Sequence, residues 1–108
     1  MTHELALEIF NQVRVTKCAD LWEEVVKCAI RYAQIRVDWL RAETAQQQWI
    51  GIERSTCHNA LINACNTLAS QMVDAGESAD WRRQLGTDRK VIGDFACHLY
   101  CILGILAR

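Results

Sequence analysis

No proline occurs anywhere in the 108 residues. Proline is the residue that most often ends a helix or occupies a loop, so a chain of this length without one favours long, uninterrupted helices. Ala, Leu, Gln, Glu, Arg and Lys dominate the remainder, and all are good helix formers. No segment alternates apolar and polar residues in the manner of a half-buried strand. The expected fold class is therefore all-α. A chain this long carries enough apolar surface for one core and not for two, so residues 1–108 are read as a single helical domain.

Apolar spacing and end signals place the helices. The first is expected from about His3 to Arg14, capped by Thr2, with Leu5, Ile9, Phe10 and Val13 on one face. Asp20-Leu21-Trp22-Glu23 reads as an acid-capped variant of the capping box, opening a second helix that reaches the mid-forties. Its stripe is Trp22, Val25, Val26, Ala29, Tyr32, Ala33, Arg36 and Leu40. A break is expected between Thr44 and Ser55, where Thr44 to Gln47 offers a second capping box and Gly51 weakens a continuous helix. A third helix, with Leu61, Cys65, Leu68 and Met72 inward, ends at Gly76, a natural residue just past a helix end. Ser78 or Asp80 caps a short helix around Trp81 to Gln84, stopped by Gly86, and Thr87 or Asp88 caps a last helix running to about Leu106. The architecture expected is a bundle of three long helices plus one short and one N-terminal helix.

The last helix is apolar almost all the way round: Ile92, Phe95, Ala96, Leu99, Ile102, Leu103 and Leu106 form one face, and Val91, Cys101 and Ile105 fill its flank. Such a helix is either central or packed against a second chain. The apolar run from Val91 to Ala107 is shorter than the ~20 residues that span a bilayer, and it contains Asp94 and His98, so no membrane partner is expected. The net charge is −1 with both signs interspersed, and no basic stripe marks a nucleic-acid surface. The six cysteines sit mostly at apolar positions, and Met1-Thr2-His3-Glu4 opens an acidic amphipathic stretch rather than a leader. Reduced thiols in a cytoplasmic protein are expected.

Five groups of residues invite chemistry. Asp94 and His98 stand at i, i+4 on the greasy last helix, where a carboxylate needs a partner: His98 or Lys90 on the same helix, or Arg89 or Arg54 from elsewhere. They form either an acid–base pair or a structural hydrogen bond that fixes helix register, and buried ion pairs are more often structural. Arg54 and His58 share the same spacing in the third helix, followed by Asn59, Asn63, Asn66 and Ser70. Amides and hydroxyls in place of Lys and Glu suit a polar cavity or a wet interface, or a mildly polar exposed face. Trp49 and Trp81, near Arg54, Arg82 and Arg83, either rim such a pocket or pack in the core. Cys57-His58 and Cys97-His98 with Cys101 contain neither C-x-x-C nor a paired-histidine spacing, so no metal site and no cofactor are implied. Asp20, Glu23 and Glu24 invite comparison with all-helical nucleoside-triphosphate pyrophosphohydrolases, but Asp38-Trp39-Leu40-Arg41 places a cation where that family's E-x-x-D carries its second acid.

The segment Asp88-Arg89-Lys90-Val91-Ile92-Gly93-Asp94-Phe95-Ala96-Cys97 resembles the C-terminal part of small helical bacterial proteins, some carried on mobile elements such as integron gene cassettes. The third-helix phrase Arg54…His58-Asn59-Ala60-Leu61-Ile62-Asn63-Ala64 is similar to the same proteins. The resemblance covers the last half of the chain, implies a cytoplasmic, dimeric helical protein without an assigned activity, and transfers no site residues.

Two functional expectations follow. The first is a non-enzymatic homodimer, working as an interaction or binding protein. The alternative is a small-molecule binder or enzyme whose pocket lies between the third and last helices, built from Arg54, His58, Asn59, Asn63, Asp94 and His98 with Trp81 as a lid. A divergent nucleotide pyrophosphohydrolase stands behind both.

Overall fold

The structure, a computed structural model, describes residues 1–106. Among them the chain forms five helices in the order α1 (His3–Val13), α2 (Ala19–Arg41), α3 (Thr44–Asp74), α4 (Asp80–Leu85) and α5 (Arg89–Leu106). The fold is an all-α bundle, with α2, α3 and α5 as its three long members. Ala107, the last residue of the apolar run, lies outside the described residues.

Several helix ends form where local chemistry requires them. The Thr2 hydroxyl accepts from the Leu5 N–H at 3.2 Å, satisfying a donor that the first turn of α1 leaves open. Asp88 does the same for α5, accepting from the N–H groups of Lys90 at 2.8 Å and Val91 at 3.3 Å. Gly76 takes φ +82° beyond α3. That left-handed step brings the Glu77 N–H to the Met72 carbonyl at 2.8 Å, the doubly bonded closure that glycine makes accessible.

Three boundaries depart from the sequence expectation. The second helix begins at Ala19 with Cys18 as its capping residue and no side-chain cap, so Asp20 lies inside the first turn and Glu23 turns to Lys27 at 3.8 Å. The start is set from a distance. Thr16, buried in the loop, donates to Glu77 at 2.8 Å and accepts from the Cys18 N–H at 3.1 Å, tying the α1–α2 loop to the end of α3. The expected break between Thr44 and Ser55 is absent: the turn is made by Ala42 and Glu43, both extended, and α3 runs unbroken through Gly51. The Gln47 side chain donates to the Trp39 carbonyl at 3.2 Å, so a residue of the next helix caps α2. At the short helix, Ala79 takes the capping position, and the Asp80 N–H donates to Ser78 Oγ at 3.4 Å.

Helix α2 is central. It packs most extensively on α3 and then on α5, while α1 lies along α5. Pairs such as Tyr32 with His58 and Trp39 with Arg54 make α2 and α3 antiparallel, and Met1 with Asp94 and His3 with His98 make α1 and α5 parallel. The long dimension of 48 Å is that of α3, whose 31 residues rise ~1.5 Å each. All five helices contribute to one core: Ile9 and Val13, Val25 and Tyr32, Leu61 and Leu68, Trp81 and Leu85, and Ile92, Phe95 and Leu99. The expected inward stripe of α3, Leu61, Cys65, Leu68 and Met72, is buried throughout. On α2 the stripe outruns the core, and Leu40 is exposed. No helix of the described residues is long and apolar enough to cross a membrane.

Continuity of α3 through Gly51 has a measurable consequence. A Cβ built there meets nothing closer than the Trp39 Nε1 atom at 3.8 Å, an ordinary contact. Gly51→Ala should therefore stabilise the protein by about 0.5–1 kcal/mol through helix propensity, read as a raised midpoint in urea. A destabilised variant would place a turn at Gly51 after all.

Candidate functional site

The first site grows from a charge on an apolar helix. Asp94 lies on the side of α5 that faces α2, and Gly93 precedes it. A Cβ at Gly93 would stand 3.0 Å from Arg36 Nη1 and 3.2 Å from Arg36 Cζ, so the missing side chain is what lets the guanidinium lie against α5. Arg36 Nη1 then donates to Asp94 Oδ1 at 3.0 Å and to Cys97 Sγ at 3.7 Å, and the Met1 ammonium lies 3.4 Å from Asp94 Oδ2. None of the partners expected for Asp94, whether His98, Lys90, Arg89 or Arg54, takes that role. The antiparallel packing of α2 on α5 supplies Arg36 instead. His98, one turn on, turns toward α1: its Nδ1 lies 3.1 Å from Nδ1 of His3, and its Nε2 lies 3.3 Å from the Met1 carbonyl.

Electrostatics make this group a lock and not an acid–base pair. Burial pushes the Asp94 carboxyl upward, but the hydrogen bond and charge of Arg36, with the ammonium behind them, outweigh it and hold the group below the usual carboxylate range. Burial likewise acts to lower Arg36, and Asp94 and Cys97 more than reverse that. Both partners stay charged, and neither is poised to exchange a proton near neutral pH.

The second site lies on α3. The Arg54 guanidinium covers the Trp39 ring with 4.6 Å between Cζ and the centroid, a cation–π contact. One turn on, the His58 ring meets Tyr32 edge to face, with centroids 5.7 Å apart. Arg89, the first residue of α5, donates to Ser55 Oγ at 2.8 Å. Burial, then the charges of Arg89 and Arg54, hold His58 below the ordinary imidazole range. Tyr32 is fully buried, and its hydroxyl, Arg54 Nε and His58 Nδ1 are all shielded from solvent without a hydrogen-bond partner in the protein.

The seven residues singled out in the sequence therefore separate. Arg54 and His58 both face α2, whereas on α5 Asp94 turns to α2 and His98 to α1, and among the described residues no hydrogen bond or ion pair joins Arg54 or His58 to Asp94 or His98. Asn59 and Asn63 are exposed on the outside of α3, and Asn66 beside them accepts from Arg82 Nε at 2.7 Å. The amide series is a solvated face. Trp81 is no lid, being 2% exposed within the core. Helices α3 and α5 touch over only a short stretch, and a cleft of about 380 Å³ lies instead between α2 and α5, against Ala33, Gln34, Val37 and Asp38 on one side and Cys97, Tyr100 and Cys101 on the other. Sequence reasoning missed Arg36, Tyr32 and Arg89 as site residues. The available signal was Arg36 itself, a charge on an apolar stripe with an acid on another apolar helix to match it.

Among the described residues no three His, Cys, Asp or Glu side chains are placed to hold a metal ion, the Glu23 and Glu24 pair included. Glu24 accepts instead from the Cys28 thiol at 3.8 Å. Burial pushes the Cys65 thiol up to about 12, which makes it inert as a nucleophile. Comparison with protein-family models, with curated proteins and with solved structures gave no match.

Asp94→Asn should cost about 2 kcal/mol at pH 7, the usual contribution of a hydrogen bond to a charged group. The folded carboxyl is held low, so its contribution is full above the unfolded value of about 3.9 and fades as pH falls through the folded one. Denaturant midpoints of wild type and Asp94→Asn should differ at pH 7 and converge toward pH 2. A gap that stays constant with pH would assign the loss to packing and not to the carboxylate.

Proposed function

We propose that the chain acts as a non-enzymatic homodimer whose contact surface is the outer face of α5. The observation that carries this reading is that the bundle leaves apolar side chains uncovered in the C-terminal half of α5. Its inward residues Ile92, Phe95, Ala96, Leu99 and Ile102 are buried, whereas Tyr100 is 46% and Ile105 63% exposed on its two flanks. Cys101 and Gly104, both exposed, lie between them, and these small residues let a second helix approach closely. Val37 of α2 and Leu7 of α1, both partly exposed, border the strip, so the apolar surface continues onto its neighbours.

A second copy is the occupant that this surface suits. Tyr100 is of the type enriched at the centre of an interface. One patch meeting its own copy about a two-fold axis is the commonest form of association. Six free thiols fit the reducing cytoplasm, and the resemblance of the C-terminal half to cassette-borne bacterial helical proteins fits the same reading.

Light scattering at tens of micromolar should return twice the chain mass. Tyr100→Glu and Ile105→Glu replace side chains that are exposed in the single chain, so each should give a monomer with unchanged helical circular dichroism. A monomeric wild type would defeat the reading.

A further inference from the structure

We propose that His3 and His98 form a two-imidazole chelate for a borderline divalent cation of the Zn(II) class, joining the first turn of α1 to α5. The site is complete within one chain, so it goes beyond the dimer reading and does not rest on it.

The argument starts from a contact that local spacing hides. His3 and His98 stand 95 residues apart in the chain, yet Nδ1 of one lies 3.1 Å from Nδ1 of the other, with ring centroids 5.1 Å apart and planes inclined at 61°. No paired-histidine motif announces them, because the pair is made by the packing of α1 along α5 and not within one helix. Imidazole nitrogen is the common protein ligand of borderline divalent ions. A cation ~2.0–2.1 Å from each nitrogen would subtend about 95–100° across that 3.1 Å, between the octahedral and tetrahedral angles. His3 is exposed, so an ion reaches the pair from solvent and the His3 ring can turn to meet it.

The second observation is the proton arrangement. His98 Nε2 lies 3.3 Å from the Met1 carbonyl, which only accepts, so Nε2 carries the proton and Nδ1 of the neutral ring is left bare. A ligating imidazole is oriented in this way, with a hydrogen bond at one nitrogen and the lone pair presented by the other. His3 Nδ1 then supplies the one proton between the rings. On binding, His3 gives that proton to water and takes one at Nε2, so both Nδ1 lone pairs meet the ion and the charge added is the cation's own. Asp94, one turn from His98, stays with Arg36 and the Met1 ammonium. Among the described residues no third His, Cys, Asp or Glu joins the pair, so water completes the coordination. Two protein ligands make an open, exchangeable site and not the closed four-ligand set of a structural zinc.

The probe is Zn(II), titrated into the full nitrogen-labelled chain under reducing conditions, with the histidine ring nitrogens followed by NMR. Nδ1 of His3 and Nδ1 of His98 should shift together and saturably at one ion per chain, while the His58 ring stays still. The ion should also raise the melting temperature, because the pair exists only in the folded chain. His3→Gln, at an exposed position that leaves the helical circular dichroism unchanged, should weaken binding about tenfold or more, and His98→Gln should do the same. Zn(II) taken up with both rings unmoved would place the ion on the free thiols and overturn the proposal. Affinity retained in either variant would overturn it too, since a single imidazole would then hold the ion.

Discussion

The Arg36–Asp94 ion pair is the interaction on which the arrangement of the bundle depends. Helix α5 is apolar on nearly every side, so sliding it one turn along α2 would still bury leucine and isoleucine against alanine and valine. Hydrophobic burial is roughly proportional to area and indifferent to direction, and it discriminates poorly between such registers. A carboxylate half-removed from water discriminates strongly, because only one register gives it the guanidinium. Gly93 sharpens the choice, since it is the position on α5 where the guanidinium can come within 3.0 Å of where a Cβ would be. The pair therefore favours one arrangement of the bundle over its neighbours.

That register has two consequences at opposite sides of α5. It turns Tyr100, Cys101 and Ile105 outward, leaving an apolar strip bordered by Val37 and Leu7. It also sets the first turn of α5 beside α3, so that Arg89 reaches Ser55 and bears on His58. An apolar strip and a cationic cluster thus come from one helix through one placement.

What was legible in the sequence was local. Thr2, Asp88 and Gly76 end helices by bonds within three to five residues, and such signals can be read directly from the chain. The inward stripe of α3 was equally clear, because four apolar residues at helical spacing have few alternatives. The α2–α3 turn was not, since two extended residues and a glutamine that caps the preceding helix leave no signature, whereas Gly51 looks like a break and is accommodated. Asp20 resembled a cap and was displaced by Thr16, whose partner Glu77 is 61 residues away. A contact at that distance has no trace in local pattern.

The site divides along the same line. Arg54 and His58 remained neighbours because i, i+4 spacing on one helix guarantees it. Asp94 and His98 share that spacing yet address different helices, α2 and α1, since the parallel packing of α1 draws the imidazole away. Trp81 went inward because a helix of six residues can bury only what a single turn presents, and Trp81 with Leu85 is its apolar side. Asp94 is fixed in its charged form by Arg36, and Cys65 is sealed in the core. His58, packed edge to face on Tyr32, is held below the ordinary imidazole range by burial and then by the charges of Arg89 and Arg54.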